Sequence, residues 1–438
     1  MTSTCLMNCH FIGSIYKASK TYLTTCIRRC SRLSTNGNPS MITIQGQTFQ
    51  PDEMTTLTPN IIEKVGCNLH NQQNHPLCLI KQCITNFFYK QFTRLGNPLF
   101  SVYDNISPIV TVSANFDSVL TPPDHVSRRK GDNFYINKDY MLRAHTSAHQ
   151  SELIKSGLDA FLVIGDVYRR DHIDASHYPV FHQMEGVQLY SNFQLFGEKS
   201  NKTSLFEDGE RTVEKQQFHT MIAAKSLEHQ LKTTLEGCIQ ELFGSGLEIK
   251  WVDAEFPFTH PSWELEIKFQ GEWLEVLGCG IMEQEIISSA INGQKIGYAF
   301  GLGLERLAMI LFDIPHIKLF WTEDERFLNQ FKAKDICSIK FQPYSKYPPL
   351  LMDISYWCPP NYEANDFHDL VRNIGGDLVE AVELIDEFVH PKTNVISRCN
   401  RITYRSMDRT LTKEEASQIH WKIAAAAEHL LKVDIRKK

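Results

Sequence analysis

Leu77, Ile80, Ile84 and Phe87 recur at three- and four-residue intervals, the repeat of one buried helix face. Pro76 stands at the head of that repeat, where a missing N–H costs nothing, and the spacing predicts a helix opening over residues 69–76. Between residues 99 and 120 the apolar positions come in short runs, such as 108–112, that read as extended. Helical and extended segments then alternate to about Trp321. Residues 227–243 are amphipathic at the helical period, whereas 247–253, 263–269 and 273–277 are extended. Strands joined by turns that short predict an antiparallel sheet in an α+β domain. The polar interval 198–217 reads as a surface insertion.

A change of texture follows. Residues 327–347 are rich in lysine and aromatics and end in Tyr347-Pro348-Pro349, which favours an extended, semi-rigid linker. Beyond it, 351–357 is strand-like. Asn365 is placed to cap a helix whose Phe367, Leu370, Val371 and Ile374 face inward, and Gly375-Gly376 closes it. Residues 378–388 and 400–404 read as strands. Thr412 and Glu415 form a capping box ahead of a stripe of Ala416, Ile419, Ile423, Ala427 and Leu430. With a last short strand at 433–435, the order is that of a ferredoxin-like split βαβ domain. The division expected is a leader over 1–51, a catalytic domain over 52–326, a linker over 327–346 and this domain over 347–438.

Composition bounds the class. The chain has 438 residues, 42% of them hydrophobic and 22% charged, enough to bury a sizeable core and unlike a disordered chain. No uncharged apolar run approaches the ~20 residues of a membrane-spanning helix, so no membrane association is expected. A net charge of −6 argues against coating nucleic acid by bulk charge, although a local basic face is compatible with it. Twelve cysteines stand at irregular spacing, as reduced thiols do in a reducing compartment. The pairs Cys5/Cys9 and Cys26/Cys30 lack the second pair that a zinc site needs. Residues 1–51 contain no Asp or Glu but do contain Lys17, Lys20, Arg28, Arg29 and Arg32. A basic, Ser-rich, acid-free leader is the signature of a mitochondrial transit peptide. A secretory signal would carry its positive charge before the apolar stretch, not after it.

Charge also divides the tail. Residues 345–394 hold three basic and nine acidic side chains, and 395–438 hold ten basic and five acidic. Arg398, Arg401 and Arg405, with Tyr404 among them, suit RNA, where phosphates meet cations and unstacked bases meet rings. An ordinary solvated face fits the same charges equally well.

Several nucleotide signatures are missing. There is no P-loop, and Arg306 stands where a dinucleotide fingerprint after Gly301 and Gly303 needs its third glycine. What is present is an ordered pair of segments. Gly165-Asp166-Val167-Tyr168-Arg169-Arg170-Asp171 leads through a loop to Tyr178-Pro179-Val180-Phe181-His182-Gln183-Met184-Glu185. A strand, a loop and a returning strand would set Arg169, a planar fork suited to phosphate, opposite residues 181–185. Then comes Gly297-Tyr298-Ala299-Phe300-Gly301-Leu302-Gly303-Leu304-Glu305-Arg306. Arg306 falls in the first turn of an otherwise apolar helix, where a lone cation opposes the helix dipole. That position makes sense if it faces an anion or a flat ring.

These segments resemble motifs 2 and 3 of the class II aminoacyl-tRNA synthetases. Asn115-Phe116-Asp117, Pro123-Asp124-His125, Leu142-Arg143-Ala144-His145-Thr146-Ser147, Phe256-Pro257-Phe258 and Leu274-Glu275-Val276-Leu277-Gly278-Cys279-Gly280 narrow the likeness to phenylalanyl-tRNA synthetase. The leader, single chain and fused tail resemble the mitochondrial, single-subunit form. The resemblance implies an antiparallel-sheet catalytic domain and an anticodon-binding tail. It implies ATP-dependent formation of phenylalanyl-adenylate, then transfer to mitochondrial tRNA(Phe) in the matrix.

By the same resemblance, Arg169 binds the α-phosphate and the incoming carboxylate. Phe181 and Arg306 enclose the adenine, His177 lies near the distal phosphates, and Asp171 stands where many relatives carry Glu. Glu275 is a ligand for Mg²⁺ arriving with ATP, with no prosthetic group. His145, Ser147, Gln183 and Glu185 hold the amino and carboxylate groups of phenylalanine. Phe256 and Phe258 meet its ring, and Ala299 floors the pocket. A monomer is expected. Two rivals are a silent paralogue that binds RNA or protein, and an adenylating ligase that uses no tRNA.

Overall fold

The computed structural model describes residues 41–269, 271–291, 294–332, 336–343 and 347–436. The elements used below are numbered in chain order. A short hairpin, β1 (Ile42–Ile44) and β2 (Gln47–Phe49), precedes helix α1 (Pro76–Gln91). Strand β3 (Ser101–Tyr103), β4 (Ala160–Tyr168) and β5 (Val180–Tyr190) follow. Helix α2 (Met221–Phe243) leads into β6 (Ile249–Phe256), β7 (Thr259–Phe269) and β8 (Glu272–Met282). Strand β9 (Ile296–Gly303) runs directly into helix α3 (Leu304–Phe312).

These seven strands form one sheet in the order β6-β7-β8-β9-β5-β4-β3. Only β3 joins its neighbour in parallel; the rest is antiparallel. Every residue of β4 is buried, because both faces of the central strands are covered. The main core gathers Leu77, Ile80, Ile84 and Phe88 of α1, Leu227, Leu231 and Leu235 of α2, and Leu304, Leu307 and Ala308 of α3 against the sheet. Helix α1 begins at Pro76 with His75 as its cap; residues 69–71 form a separate 3₁₀ turn. Helix α2 starts ahead of the predicted 227. Thr220 caps it through the Ala223 N–H, and the buried face there is only Ala223 and Ala224, too small to register as a hydrophobic stripe.

The tail holds β10 (Leu350–Trp357), helix α4 (Ala364–Gly375), β11 (Val379–Val389), β12 (Ile396–Tyr404), helix α5 (Lys413–Ala426) and β13 (Asp434–Ile435). Its sheet order is β11-β12-β10-β13, the ferredoxin-like arrangement expected. The Thr412/Glu415 capping box is formed.

Four boundaries differ from the sequence reading. The leader expected over 1–51 includes the hairpin: Ile44 and Phe49 are buried with Leu57, Ile61 and Phe134, while residues 1–40 lie outside those described. The linker expected over 327–346 is packed as far as Phe341. Phe327, Phe331, Ile339 and Phe341 join the main core, and the Phe331 ring meets Phe312 at 5.3 Å between centroids. The polar interval 198–217 ends inside the fold, where Gln216 Nε2 donates to the carbonyls of His260 and Met282. Asn365 does not cap α4. It is the second residue of that helix, and its amide donates to the carbonyls of Gly131 and Arg170 in the catalytic domain.

Candidate active site

The C-terminal end of β4, the start of β5, strands β6 and β8 and the junction of β9 with α3 surround one cleft of about 1120 Å³. Arg169, Asp171, His177, Phe181, Gln183, Glu185, His145, Ser147, Phe256, Phe258, Glu275, Ala299 and Arg306 all line it. Thirteen positions spread from residue 145 to 306 are thus brought together, and the four proposed from the tail are not.

Arg169 follows the last residue of β4. Its backbone N–H pairs with the Pro179 carbonyl, so it opposes Pro179 and not residues 181–185 as expected. The side chain makes up the difference: the guanidinium carbon lies 5.2 Å from the centre of the Phe181 ring. Nε donates to the Ala144 carbonyl at 2.8 Å, which aims the fork and leaves its two outer nitrogens without a protein partner among the described residues. Behind it, Arg143 and Asp166 form a fully buried pair at 2.8 Å. Arg143 also reaches His149, and the Tyr168 hydroxyl donates to Asp166. A Cβ at Gly165 would lie 2.0 Å from Arg143 Nη2. This glycine is therefore required by the arginine that backs the strand.

Across the cleft, Arg306 stands in the first turn of α3. Its Nη1 donates to the Glu275 carbonyl at 2.8 Å and lies 3.3 Å from the Glu275 carboxylate. Glu305, one residue earlier, points the other way. Its carboxylate accepts the His182 backbone N–H at 2.8 Å and lies 2.7 Å from His182 Nδ1, and both residues are buried.

The deep end is built on Glu185. Its carboxylate is buried and accepts from Thr146 Oγ1, Ser147 Oγ and Gln150 Nε2. No cation touches it among the described residues. Burial pushes its carboxyl up to about 7, against the pull of those three donors. Gln183 accepts the Thr146 N–H at 3.1 Å. The His145 imidazole is held down to about 3 by burial and by Arg169, so it is neutral. Phe256 and Phe258 lie parallel, 5.7 Å between centroids and 6° apart. The Phe256 ring occupies the space over Gly278, where a Cβ would come within 2.9 Å. Ala299 is 4% exposed, between Gly280 and Val187 on the neighbouring strands. One end of the cleft is thus a buried carboxylate beside apolar walls, and the other holds Arg169, with Arg306 paired to Glu275.

The segment from Arg169 to Pro179 crosses the mouth. Asp174 accepts from the backbone N–H groups of Ser176 and His177 and lies 2.7 Å from His177 Nδ1. Burial works against ionisation of Asp174, but these hydrogen bonds outweigh it and take the carboxyl down to about 2. His177 is thereby fixed at the rim. Asp171 accepts the N–H of His172.

Sequence reasoning passed over Thr146, Gln150, His182 and Glu305. Ser147 and Gln150 are three apart across a 3₁₀ turn that feeds a helix, a spacing that puts them on one side. Nothing in the sequence pairs His182 with Glu305, which are 123 positions apart.

Of the proposed RNA contacts of the tail, Tyr404 is corrected. Tyr404 is fully buried, with its hydroxyl 3.1 Å from His420 Nδ1, so its ring cannot stack on a base. Arg398 is paired with Glu387, Arg401 with Asp353 and Arg405 with Glu380. The basic and acidic halves of the tail lie on adjacent strands, Asp353 and Glu383 on either side of Arg401. Charge segregated along the chain is interleaved in space.

The chain matches the family described as tRNA synthetases class II core domain (F) over residues 63–207 and 206–331. It matches the ferredoxin-fold anticodon binding domain over 345–436. A Mus musculus protein named mitochondrial phenylalanine–tRNA ligase is 57% identical over 412 residues, 93% of this chain and 91% of that one. A Drosophila melanogaster protein named probable mitochondrial phenylalanine–tRNA ligase is 49% identical, covering 91% and 93%. A Saccharomyces cerevisiae protein named mitochondrial phenylalanine–tRNA ligase is 37% identical, covering 86% and 91%.

Proposed function

We propose a residue-level mechanism for this chain, which belongs to the phenylalanine–tRNA ligase family of class II aminoacyl-tRNA synthetases and charges mitochondrial tRNA(Phe) with phenylalanine through an adenylate. The observation that carries the mechanism is the polarity of the cleft. A buried carboxylate without a counter-charge, Glu185, sits beside Phe256, Phe258 and Ala299, with Arg169 at the mouth. An α-ammonium group answers Glu185, a benzyl side chain answers the apolar walls, and a phosphate answers Arg169.

In the first step a carboxylate oxygen of phenylalanine attacks the α-phosphorus of ATP. The bond to pyrophosphate breaks and its electron pair leaves with pyrophosphate. In the second, a terminal ribose hydroxyl of the tRNA attacks the acyl carbon and AMP departs. Neither step needs a protein nucleophile, and the cleft supplies positioning and charge. Arg169 offsets charge at the α-phosphate and draws the two anionic reactants together. Phe181 and Arg306 take the faces of the adenine, a guanidinium on a π-face being favourable. Ser147, Gln183 and His145 orient the amino acid. His177, tethered by Asp174, faces the distal phosphates, and Asp171 borders the nucleotide.

The residues around Glu275 fit a divalent cation carried by ATP. Glu264 and Glu266 lie on β7, with Glu266 directly opposite Glu275 on β8. Lys250 pairs with Glu266 and Arg306 with Glu275, while Glu264 has no ion-pair partner among the described residues. Burial, Glu275 and Glu266 together hold the Glu264 carboxyl above its usual value. No cluster of three or more His, Cys, Asp or Glu that could hold a metal ion is present among the described residues. Mg²⁺ is commonly held by one or two carboxylates plus phosphates, so Glu275 and Glu264 would hold it together with the nucleotide. Bound there, it would neutralise phosphate charge.

The tail takes tRNA. Arg398, Arg401 and Arg405 reach a phosphate by exchanging a carboxylate partner for it, without help from Tyr404. We further infer a monomer working in the matrix, which sedimentation and sub-mitochondrial fractionation would test.

ATP–pyrophosphate exchange with each of the twenty amino acids tests the mechanism. Exchange with phenylalanine, lost in Arg169→Ala and Glu185→Ala, is expected. Full exchange in those two variants would overturn the residue roles.

A further inference from the structure

Residues 170–173 link Arg169, on the cleft, to the Asp174–His177 turn, also on the cleft. All four consecutive carbonyls of this segment accept hydrogen bonds from the tail. Asn365 Nδ2 donates to the Arg170 carbonyl at 3.1 Å. Arg372 Nη2 donates to those of Asp171, at 2.6 Å, and His172, at 3.3 Å. The backbone N–H of Val382 donates to that of Ile173 at 2.9 Å.

The side chains follow the same division. Arg170 lies 2.7 Å from Asp369 and 2.5 Å from Asp366 of α4. His172 Nδ1 is 3.1 Å from His368 Nε2. Ile173, 8% exposed, is a buried member of the tail's own core cluster. Asp171 and His177 turn instead to the cleft. Arg372 is itself fixed by Asp369 at 2.6 Å, so the donor that holds two of the carbonyls is a rigid fork and not a mobile surface arginine.

A peptide segment whose carbonyls are all held from one side has little freedom left. The groups it carries on the other side inherit that rigidity. We propose that the C-terminal domain is a positioning element of the ATP site, with Asn365, Arg372 and the Val382 amide fixing residues 170–173 and thereby Arg169, Asp171 and His177. Arg372 and Asn365 touch no reacting atom. They act through the segment they hold. The phenylalanine end of the cleft is built on other elements: Thr146, Ser147 and Gln150, strand β5 beyond Gln183, and Phe256, Phe258 and Ala299. Of the braced residues it shares only Arg169, which the phenylalanine carboxylate meets together with the α-phosphate. The two substrates should therefore respond differently when the brace is cut, a split that general loss of stability would not produce.

The inference rests on the ATP-site roles proposed above, and the test separates the two. Binding of a non-hydrolysable ATP analogue and of phenylalanine is measured on the full chain by calorimetry, together with exchange kinetics, for wild type, Arg372→Met, Arg372→Lys and Asn365→Ala. Failure of the wild type to exchange pyrophosphate with phenylalanine present would count against the roles themselves. Loss of the charged donor is worth on the order of 1.5 kcal/mol at the loop, about tenfold in affinity. The expected result is that Arg372→Met weakens the analogue and raises KM for ATP by about tenfold, with a clearly smaller loss for phenylalanine, whose ammonium and ring contacts lie outside the braced segment. Arg372→Lys, which keeps a donor for the same carbonyls, should recover most of that loss. Asn365→Ala, which removes a single amide, should show a smaller shift of the same kind. Wild-type analogue binding in folded Arg372→Met and Asn365→Ala, or equal losses for ATP and phenylalanine, would overturn the proposal.

Discussion

Glu305 grips His182 at two points, the backbone N–H and the ring Nδ1, at 2.8 and 2.7 Å. Each partner sits one residue from a side chain that lines the cleft: Arg306 after Glu305, and Phe181 before His182. The clamp joins the start of α3 to β5. In Glu305→Gln the single amide oxygen can accept from only one of the two donors, and the NH₂ group confronts the other. Leaving a buried polar group unmatched costs about 1–3 kcal/mol. Urea denaturation of Glu305→Gln should show a loss in this range.

The Glu185 carboxyl, raised by burial to about 7, gives phenylalanine binding an acid limb. Below that pH the carboxyl is protonated and offers no charge to an ammonium. Between about pH 4.3 and 7 the unfolded carboxyl ionises while the folded one stays protonated, so the empty fold loses stability progressively over that range and, above it, carries the charge buried with neutral donors only. Phenylalanine supplies the missing cation. Two outcomes follow: kcat/KM for phenylalanine falls as pH drops below 7 in wild type but not in Glu185→Gln, and the thermal shift caused by phenylalanine is larger at pH 8 than at pH 6.

Tyrosine is a near-substrate on physical grounds. The apolar wall of the cleft is made of Phe256, Phe258 and Ala299, and an apolar pocket rejects an added hydroxyl by only about 10². Between the catalytic domain and the tail, residues 336–343 and 347–349 leave no room for an editing domain. Tyrosine should therefore drive pyrophosphate exchange at about 10⁻² of the phenylalanine efficiency. Tyr-tRNA presented to the enzyme should persist, and its hydrolysis by this chain alone would show a second site.

Tyr404 offers a clean control for the RNA face. Because its ring is buried in the tail core, Tyr404→Phe should leave tRNA affinity unchanged in a filter-binding assay. It removes only the bond to His420, for about 1 kcal/mol. Tyr404→Ala should instead destabilise the domain by about 3–5 kcal/mol. A selective loss of tRNA binding in the phenylalanine variant would restore the ring to the interface.

What could be read along the chain was local. The α1 stripe, the α5 capping box and the order of tail strands depend on residues within a few turns of one another, and the structure carries them. The line-up of the cleft was legible for a different reason: its residues sit in motifs, so each arrived with its neighbours. Asn365, Arg401 and Glu305 were misread or overlooked because their partners are remote. A cap and an interdomain donor look alike until Gly131 and Arg170 are in view. Arg401 read as a free cation because Asp353, 48 positions earlier, is adjacent only once β10 and β12 pair. On β12 the basic side chains of the tail are paired with acidic neighbours, whereas Lys413, Lys422 and Lys432 stay exposed.

The hairpin at residues 42–49 bears on maturation. If a protease trims the N-terminus on import, its cut must fall before Ile42. A cut at the first acidic residue, Asp52, would discard Ile44 and Phe49 and leave Phe134 and Ile136 facing water at the foot of β4. Such a cut would be bounded by what the core needs to keep, Ile44 and Phe49, and not by where the acid-free stretch ends.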